Sequence, residues 1–310
     1  MDDIDRKNRK VVVIGSLNYD VCLKQERLPE EGETIFADTV EYCGGGKGAN
    51  QAVQAAKLGI PTYMVGCVGD DEQGIFLRRK LEEYGVHTDR IREVEGNSGM
   101  SVAQSLYDGG VRASVVKGAN NRVTKEDIDA LEGFLTEGDI VVFQLEIPIP
   151  VVEYAVRFCR ERGCYVILNG APAAEVSKET LRLTNVFVVN ELEAGFYCGK
   201  PVSDRNAAEQ EIVKMCEELG NICIFTLGKE GSVVCGKEQV GFVPSQKVQA
   251  VESTGAGDSF IGGLCYGLIK GMDVFEAARF ATCCSAKTVC KTGGQPAMPV
   301  LSEVMEIYQK

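Results

Sequence analysis

The sequence predicts an α/β fold: a central, mostly parallel sheet flanked by helices, with a small β-sheet lid projecting from it. Three observations carry this. Short apolar runs such as Val11-Val12-Val13-Ile14 suit strands buried on both faces of a parallel sheet. From about residue 120 onward such runs alternate with segments of helical periodicity, as in βαβ units. Each run also ends in a polar or glycine-rich tip, and tips of this kind gather at the sheet edge where open α/β folds bind ligands.

Composition bounds the rest. The 310 residues are read as one domain, 1–310, with ample length for a core. The chain is 45% hydrophobic and 25% charged, an ordinary soluble composition. A net charge of −12 argues against nucleic acid or an anionic membrane as partner. No run of about 18 apolar residues predicts a membrane span. The start, Met1 to Lys7, is charged with mixed sign and no signal-peptide core follows, so a cytoplasmic protein is expected. The 13 cysteines are odd in number, form no C-x-x-C pair and include the neighbours Cys283 and Cys284. Several (Cys67, Cys223, Cys235, Cys265) lie in apolar stretches, as small hydrophobes in a reducing compartment would. The one histidine, His87, is assigned to a helix end and turn with a plain surface role.

Taken in order, the first strand runs from Lys10 to Gly15 and opens into Ser16-Leu17-Asn18-Tyr19-Asp20. Asn18 and Asp20 are either turn formers or ligand groups. Cys43-Gly44-Gly45-Gly46-Lys47-Gly48-Ala49-Asn50 is a glycine loop opening a helix. It satisfies a relaxed dinucleotide fingerprint, but it falls too late after the first strand and 39–42 is not the opening strand of a βαβ unit. A Walker A loop fails too, because Lys47 is followed by Gly48. Lys47 and Asn50 offer donors suited to sugar hydroxyls. A strand follows over 62–68, then the turn Gly69-Asp70-Asp71. Alternating β-branched segments around Asp108-Gly109-Gly110 signal a hairpin; with 16–43, the segment 97–118 is expected to form the lid.

Four further strands each end in chemistry. Ile140–Phe143 leads to Gln144-Leu145-Glu146, and after a helix over 150–162 the strand 165–168 ends at Asn169. The strand 186–189 leads to Asn190-Glu191-Leu192-Glu193, whose Asn190 and Glu193 either hold Mg²⁺ through its waters or only form a turn and a first-turn acid. The strand 223–226 leads into Thr226-Leu227-Gly228-Lys229-Glu230-Gly231, a nucleotide-contacting loop or a simple turn.

The most telling stretch is Glu252-Ser253-Thr254-Gly255-Ala256-Gly257-Asp258-Ser259-Phe260. Residues 248–251 alternate as a strand end would, and Phe260, Ile261, Leu264, Leu268 and Ile269 recur at helical spacing. Between them, small residues let a ligand approach unpaired helix N-terminal amides, where the dipole favours an anion. Asp258 either caps this helix or serves as a base beside a bound phosphate, so the loop suggests phosphoryl transfer.

Together these motifs resemble the ribokinase branch of the PfkB carbohydrate kinase family. The resemblance rests on Gly45-Gly46-Lys47-Gly48-Ala49-Asn50 through Gly59, and on Thr254-Gly255-Ala256-Gly257-Asp258-Ser259-Phe260 with Gly263. Gln144-Leu145-Glu146, Asn190-x-x-Glu193 and Thr226-Leu227-Gly228 lie between them, so the resemblance spans about residues 10 to 300. It implies a ribokinase-like fold and ATP-dependent phosphorylation of a sugar's primary hydroxyl, most simply D-ribose to D-ribose 5-phosphate. Asp258 is then the base, and Gly255, Ala256 and Gly257 form the anion hole. Asn18, Asp20, Gly46, Lys47, Asn50 and Glu146 are implied to contact the sugar; Asn190, Thr226 through Gly231, Gly257 and Thr282 the nucleotide; and Glu193 to organise Mg²⁺. A potassium ion is implied near Glu252, Thr254, Thr288, Lys291, Gly293 and Ala297, and a homodimer through the lid.

The sequence departs from the family pattern at several places. Glu252 stands where Asp is usual and Ala297 where a serine often assists, which puts the potassium site in question. Asn169-Gly170-Ala171-Pro172 and Asn97-Ser98-Gly99-Met100-Ser101 are also unusual, the latter in a lid strand near the sugar. The alternatives are a PfkB kinase for a nucleoside such as pseudouridine or for another sugar, and a non-catalytic sensor of sugar or nucleotide.

Overall fold

In the computed structural model, which describes residues 9–107, 111–236 and 239–309, thirteen strands among those residues build two sheets. In chain order these are β1 (Val11–Ile14), β2 (Asn18–Gln25), β3 (Thr39–Gly45), β4 (Thr62–Gly69), β5 (Val86–Val94), β6 (Gly99–Leu106) and β7 (Val111–Val116). They continue as β8 (Ile140–Phe143), β9 (Tyr165–Asn169), β10 (Val186–Asn190), β11 (Ile222–Thr226), β12 (Gly231–Cys235) and β13 (Val240–Pro244).

The larger sheet has the order β13-β12-β11-β10-β9-β8-β1-β4-β5. It is parallel from β11 to β5, with β12 and β13 added antiparallel at one edge. Alternation along β1 explains its all-apolar sequence. Val11 and Val13 join one core with Phe260, Leu264 and Phe280, whereas Val12 and Ile14 join the opposite core with Val152, Val156 and Ile212. Helices therefore cover both faces.

The smaller sheet, β3-β2-β6-β7, pairs β2 with β6 in parallel and closes with antiparallel partners on each side. Its β6–β7 pair is the expected hairpin, while the turn Asp108-Gly109-Gly110 lies outside the described residues. β3 runs two residues past 43, to Gly45, and delivers the chain straight into the helix Lys47–Lys57.

Two local expectations need correction. Residues 248–251 form no strand: no neighbouring strand pairs with them, and the amides of Val251 and Glu252 donate instead to the Val289 carbonyl (2.7 and 3.2 Å). His87 lies inside β5, not at a helix end, because the helix stops at Glu83 and the chain turns at Gly85. There the exposed imidazole stacks on Tyr63, 4.3 Å between ring centroids, which suits its plain role. All 13 cysteines are free thiols.

One packing feature positions the site. The helix Ala256–Ile269 lies so close to Lys47–Lys57 that a Cβ on Gly262 would stand 2.5 Å from the Cβ of Gln54. On its other side a Cβ on Gly263 would stand 2.8 Å from the Cα of Ala281. Glycine thus brings the first turns of two helices, one bearing Asn50 and one bearing Asp258, within hydrogen-bond reach. Phe280 clamps the same layer, stacked on Tyr266 (4.6 Å) and edge-on to Tyr308 (5.2 Å). Phe280→Ala is expected to lower unfolding free energy by about 3–5 kcal/mol, read from urea denaturation; a loss below about 1 kcal/mol would show that the clamp carries little.

Candidate active site

The chain enters the helix Ala256–Ile269 through Gly255, whose φ of 77° is left-handed, a conformation that costs a side-chain-bearing residue about 1–2 kcal/mol. This turn aims the helix N-terminus into a cavity of about 230 Å³ whose walls include Lys47, Asn190, Glu193, Gly255, Gly257 and Asp258. Of the three amides expected in the anion hole, that of Ala256 already donates to the Ser253 carbonyl at 3.2 Å. The Gly255 and Gly257 amides have no protein acceptor among the described residues, and they are the pair left to meet an anion. A Cβ on Gly257 would find no atom within 4 Å. The fold therefore does not demand glycine there; an incoming ligand would.

Asp258 is buried and held on both oxygens: Asn50 Nδ2 donates to Oδ2 (2.9 Å) and Gln51 Nε2 to Oδ1 (3.0 Å). Burial pushes its pKa up; the Lys47 charge and the Asn50 and Gln51 amides pull it down, and burial wins. A buried carboxylate kept ionisable by neighbours is what a general base requires. Lys47 is half-buried; loss of solvent would lower its pKa, but the charges of Asp258, Glu146 and Glu193 outweigh this and raise it.

The residues expected to contact the sugar come from β2, the glycine loop and the segment after β8. Asn18 Oδ1 accepts from Asn120 Nδ2 (2.7 Å), and Asp20 Oδ1 accepts from Ser101 Oγ (2.6 Å). Gly46 begins the helix Lys47–Lys57 with φ 85°, and Glu146 Oε2 accepts from the Lys47 amide (3.0 Å) and pairs with Ser16 Oγ. Asp20 is pushed up to about 6, chiefly by burial, with the Ser101 hydroxyl opposing and the charges of Glu146 and Asp258 adding to it.

This has a consequence for stability. A carboxyl whose folded pKa is raised stabilises the fold below its unfolded pKa, and that contribution is lost as pH rises through the folded value. Asp20→Asn is therefore expected to raise the Tm of the free protein above pH 6 and to leave it nearly unchanged near pH 4. Equal Tm shifts at both pH values would contradict the assignment.

Of the residues expected to contact the nucleotide, Asn190, Thr226 and Gly257 line the cavity. Leu227 through Gly231 form a tight turn between β11 and β12, closed by the Leu227 amide on the Gly231 carbonyl (2.8 Å), with Gly228, Lys229 and Glu230 exposed. Thr282 is not brought to the cavity with its hydroxyl free: buried in the helix Val274–Thr288, Oγ1 donates to the Ala278 carbonyl (2.9 Å). Asn190 and Glu193 form a reciprocal cap, Glu193 Oε2 accepting from the Asn190 amide (2.9 Å) and Asn190 Oδ1 from the Glu193 amide (3.0 Å). Burial raises the Glu193 pKa, with the Asn190 amide and Lys47 opposing.

The potassium candidates are largely occupied by one another. Glu252 Oε2 accepts from the Gly293 amide (3.0 Å), the Gly293 carbonyl accepts from the Ala297 amide (2.9 Å), and Lys291 pairs with Glu303 (2.6 Å). The buried Thr288 hydroxyl bonds Cys284 O and Ser259 Oγ, and Ala297 offers no side-chain oxygen. Thr254 lies beside Gly294. Glu252 Oε1, the Thr254 hydroxyl and backbone carbonyls remain as donors for a cation there.

Sequence reasoning passed over Gln51, Asn169 and Ser101 as site residues. Gln51 Nε2 bonds both Asp258 and Asn169 Oδ1 (3.1 Å), and Asn169 lines the cavity. A signal existed: three carboxamides, Asn50, Gln51 and Gln54, interrupt an alanine-rich helix and are all buried, and buried amides must find partners.

The chain is similar to known proteins over nearly its whole length. The family described as pfkB family carbohydrate kinase matches residues 8–301. A ribokinase of Bacillus subtilis (strain 168) is 34% identical, covering 96% of this chain and 99% of that protein. A deoxyribokinase of Salmonella typhi is 33% identical over 96% of this chain and 97% of its own length. The structure of Arabidopsis thaliana ribokinase complexed with ribose and ATP superposes with a TM-score of 0.88 at 31% identity, covering 97% of this chain and 99% of that one.

Proposed function

The chain belongs to the pfkB family of carbohydrate kinases, and from that premise we propose that it transfers the γ-phosphoryl group of ATP to the primary hydroxyl of D-ribose. The observation that carries the reading is the juxtaposition in one cavity of Asp258, ionisable and held at both oxygens, with the free amides of Gly255 and Gly257. Asp258 accepts the hydroxyl proton as the sugar oxygen bonds to the γ-phosphorus. The bond from that phosphorus to the bridging oxygen breaks, and ADP leaves with the electron pair. Amides at the helix mouth stabilise the charge on the transferring group, the main contribution a protein makes to this reaction. Asn18, Asp20, Gly46, Lys47, Asn50 and Glu146 hold the sugar; Asn190 and Thr226 face the nucleotide, and the turn through Gly231 borders it.

The donor set fits Mg²⁺ arriving with the nucleotide. Asp258 feels the positive charge of Lys47 and the negative charge of Glu146, and Asp20 and Glu193 add further carboxylates, a setting that repels bare ATP. Among the described residues no three acidic, histidine or cysteine side chains are placed to cage a metal. Glu193, with only Oε2 in the cap, would orient the ion's waters, and the ion would neutralise phosphate charge. A potassium ion between 252–254 and 288–297 would rest on backbone carbonyls with Glu252 Oε1 and the Thr254 hydroxyl beside them; a rate that does not change on exchanging K⁺ for a large organic cation would remove it from the proposal.

The small sheet is read as a lid and a dimer contact. Tyr42, Val21 and Val102 share one row across β3, β2 and β6, and Tyr42, Val40 and Val102 are exposed; a contiguous apolar face of this kind marks an interaction surface. Sedimentation should give twice the 33.5 kDa chain mass, and Tyr42→Glu should halve it. A wild-type monomer would contradict the dimer. Free thiols throughout suit the cytoplasm.

Deoxyribose is the second reading, favoured by the similarity, at 33% identity, to a deoxyribokinase. A nucleoside is less suited: the sheet face carrying Asp20 bears Cys43, Ser101, Cys22, Ala103, Glu41 and Val115 in adjoining positions, none of them an aromatic platform for a base. Phosphorus NMR of the product tests the chemistry, with the phosphate expected on the primary carbon; phosphate on the anomeric hydroxyl would refute it.

A further inference from the structure

Buried carboxamides form a continuous chain through Asp258. Gln295 Nε2 donates to Asn50 Oδ1 (3.1 Å), and Asn50 Nδ2 donates to Asp258 Oδ2 (2.9 Å). On the other side Gln144 Nε2 donates to Gln51 Oε1 (2.6 Å), and Gln51 Nε2 donates to Asp258 Oδ1 (3.0 Å). All four amides are buried. An amide turned by half a rotation would set its carbonyl against the carboxylate, acceptor against acceptor. For Asn50 and Gln51 that rotation would also set N–H against N–H, because each carbonyl end is already taken by the next glutamine outward.

We propose that Gln144 and Gln295 are positioning residues that latch the amides of Gln51 and Asn50, so that both oxygens of Asp258 meet N–H donors in a single carboxylate orientation. The inference rests on the reading of Asp258 as base.

Two observations support a positioning role over plain packing. Gln144 Oε1 is buried without a hydrogen-bond partner and presses on Gly15, where a Cβ would stand 1.9 Å away. A half-satisfied buried amide burdens the fold, and an apolar side chain would fill that space without the unpaired oxygen. Gln295, from the short helix Gly294–Ala297, also abuts Gly44 at the base of the small sheet, with Oε1 2.8 Å from where a Cβ would be. The latch thus ties the base of the small sheet to the end of β8. Neither glutamine lines the cavity. The charged groups acting on Asp258 are Lys47 and Glu146, with Asp20 and Glu193 in the same charge cluster.

The test compares Gln144→Glu, Gln144→Leu and Asp258→Asn in the full chain, by kcat, sugar KM and the acid limb of the kcat–pH profile. Gln144→Glu keeps the shape and, once ionised above its own burial-raised pKa, offers only acceptors, so it drives the Gln51 carbonyl toward Asp258. The apolar side chain of Gln144→Leu merely releases the amide. Gln144→Glu should lower kcat about tenfold and raise the acid limb by about one pH unit, the scale of one charge-assisted hydrogen bond. Gln144→Leu should show a smaller loss and a smaller upward shift, and sugar KM should stay within about twofold in both. Gln295→Glu should act the same way through Asn50, and it keeps the test open if the Gln144 variants fail to fold. An unmoved acid limb, or a larger loss in Gln144→Leu than in Gln144→Glu, would leave only packing and overturn the latch. Near-normal turnover in Asp258→Asn would overturn the base reading itself; an inert Asp258→Asn beside unperturbed Gln144 variants would overturn the latch alone.

Discussion

Asp258→Asn is expected to lower kcat by a factor of about 10²–10⁴, the range a positioned general base contributes, with the fold and sugar binding retained. The expectation follows from where the group sits. Asp258 touches the cavity, is buried, and is the one carboxylate there whose two oxygens are both held by side-chain amides, those of Asn50 and Gln51. Asparagine fits the same space but cannot take the sugar proton. Two opposing effects bear on stability. Removing a charge whose pKa is raised by burial relieves a cost, while the new amide must point its own N–H groups at Asn50 or Gln51. A Tm close to wild type is therefore expected, and sugar affinity can be read by calorimetry without turnover. A variant that turns over at a near-normal rate would mean that the proton leaves by another path.

Gly257→Ala should separate stability from activity in the opposite sense. No atom lies within 4 Å of the added methyl and the site is helical, so alanine should stabilise by about 0.5–1 kcal/mol. The methyl projects into open space at the mouth of the helix, where the transferring phosphoryl group is proposed to sit. A kcat loss of about 10²–10³, the scale of a lost anion-hole donor, is expected alongside an unchanged or raised Tm. Wild-type kcat in this variant would mean that no ligand approaches Gly257, and the anion hole would have to be moved.

Much of the fold was legible because parallel strands buried on both faces read as apolar runs: β1 and β8 are all-buried, and their ends fell where the runs stopped. Residues 248–251 misled for a physical reason. Alternation marks a strand only where a neighbouring strand offers a ladder, and here the partner is the end of a helix, through the Val289 carbonyl. His87 misled because a Gly turn after a helix predicts the helix end well but not how soon the next strand begins. In the site, Asp258, Lys47 and Glu146 could be found from motif chemistry, since each lies beside a glycine loop or a strand tip. Thr282 shows the limit of that approach: the residue type suits a ligand, yet its hydroxyl is spent on the preceding helical turn. The partners that hold Asp258 lie far away in sequence, with positions 51 and 258 separated by 207 and positions 50 and 295 by 245. Only the close approach of two helices through Gly262 reveals them.

The most direct test of the account is the initial rate of ADP release from Mg-ATP across ribose, deoxyribose, fructose, adenosine, uridine and pseudouridine, compared as kcat/KM. Ribose is expected to give the highest value, deoxyribose the next, and the nucleosides little above the sugar-free rate. Sugar binding without ADP release, or a nucleoside ahead of every sugar, would contradict the proposed function.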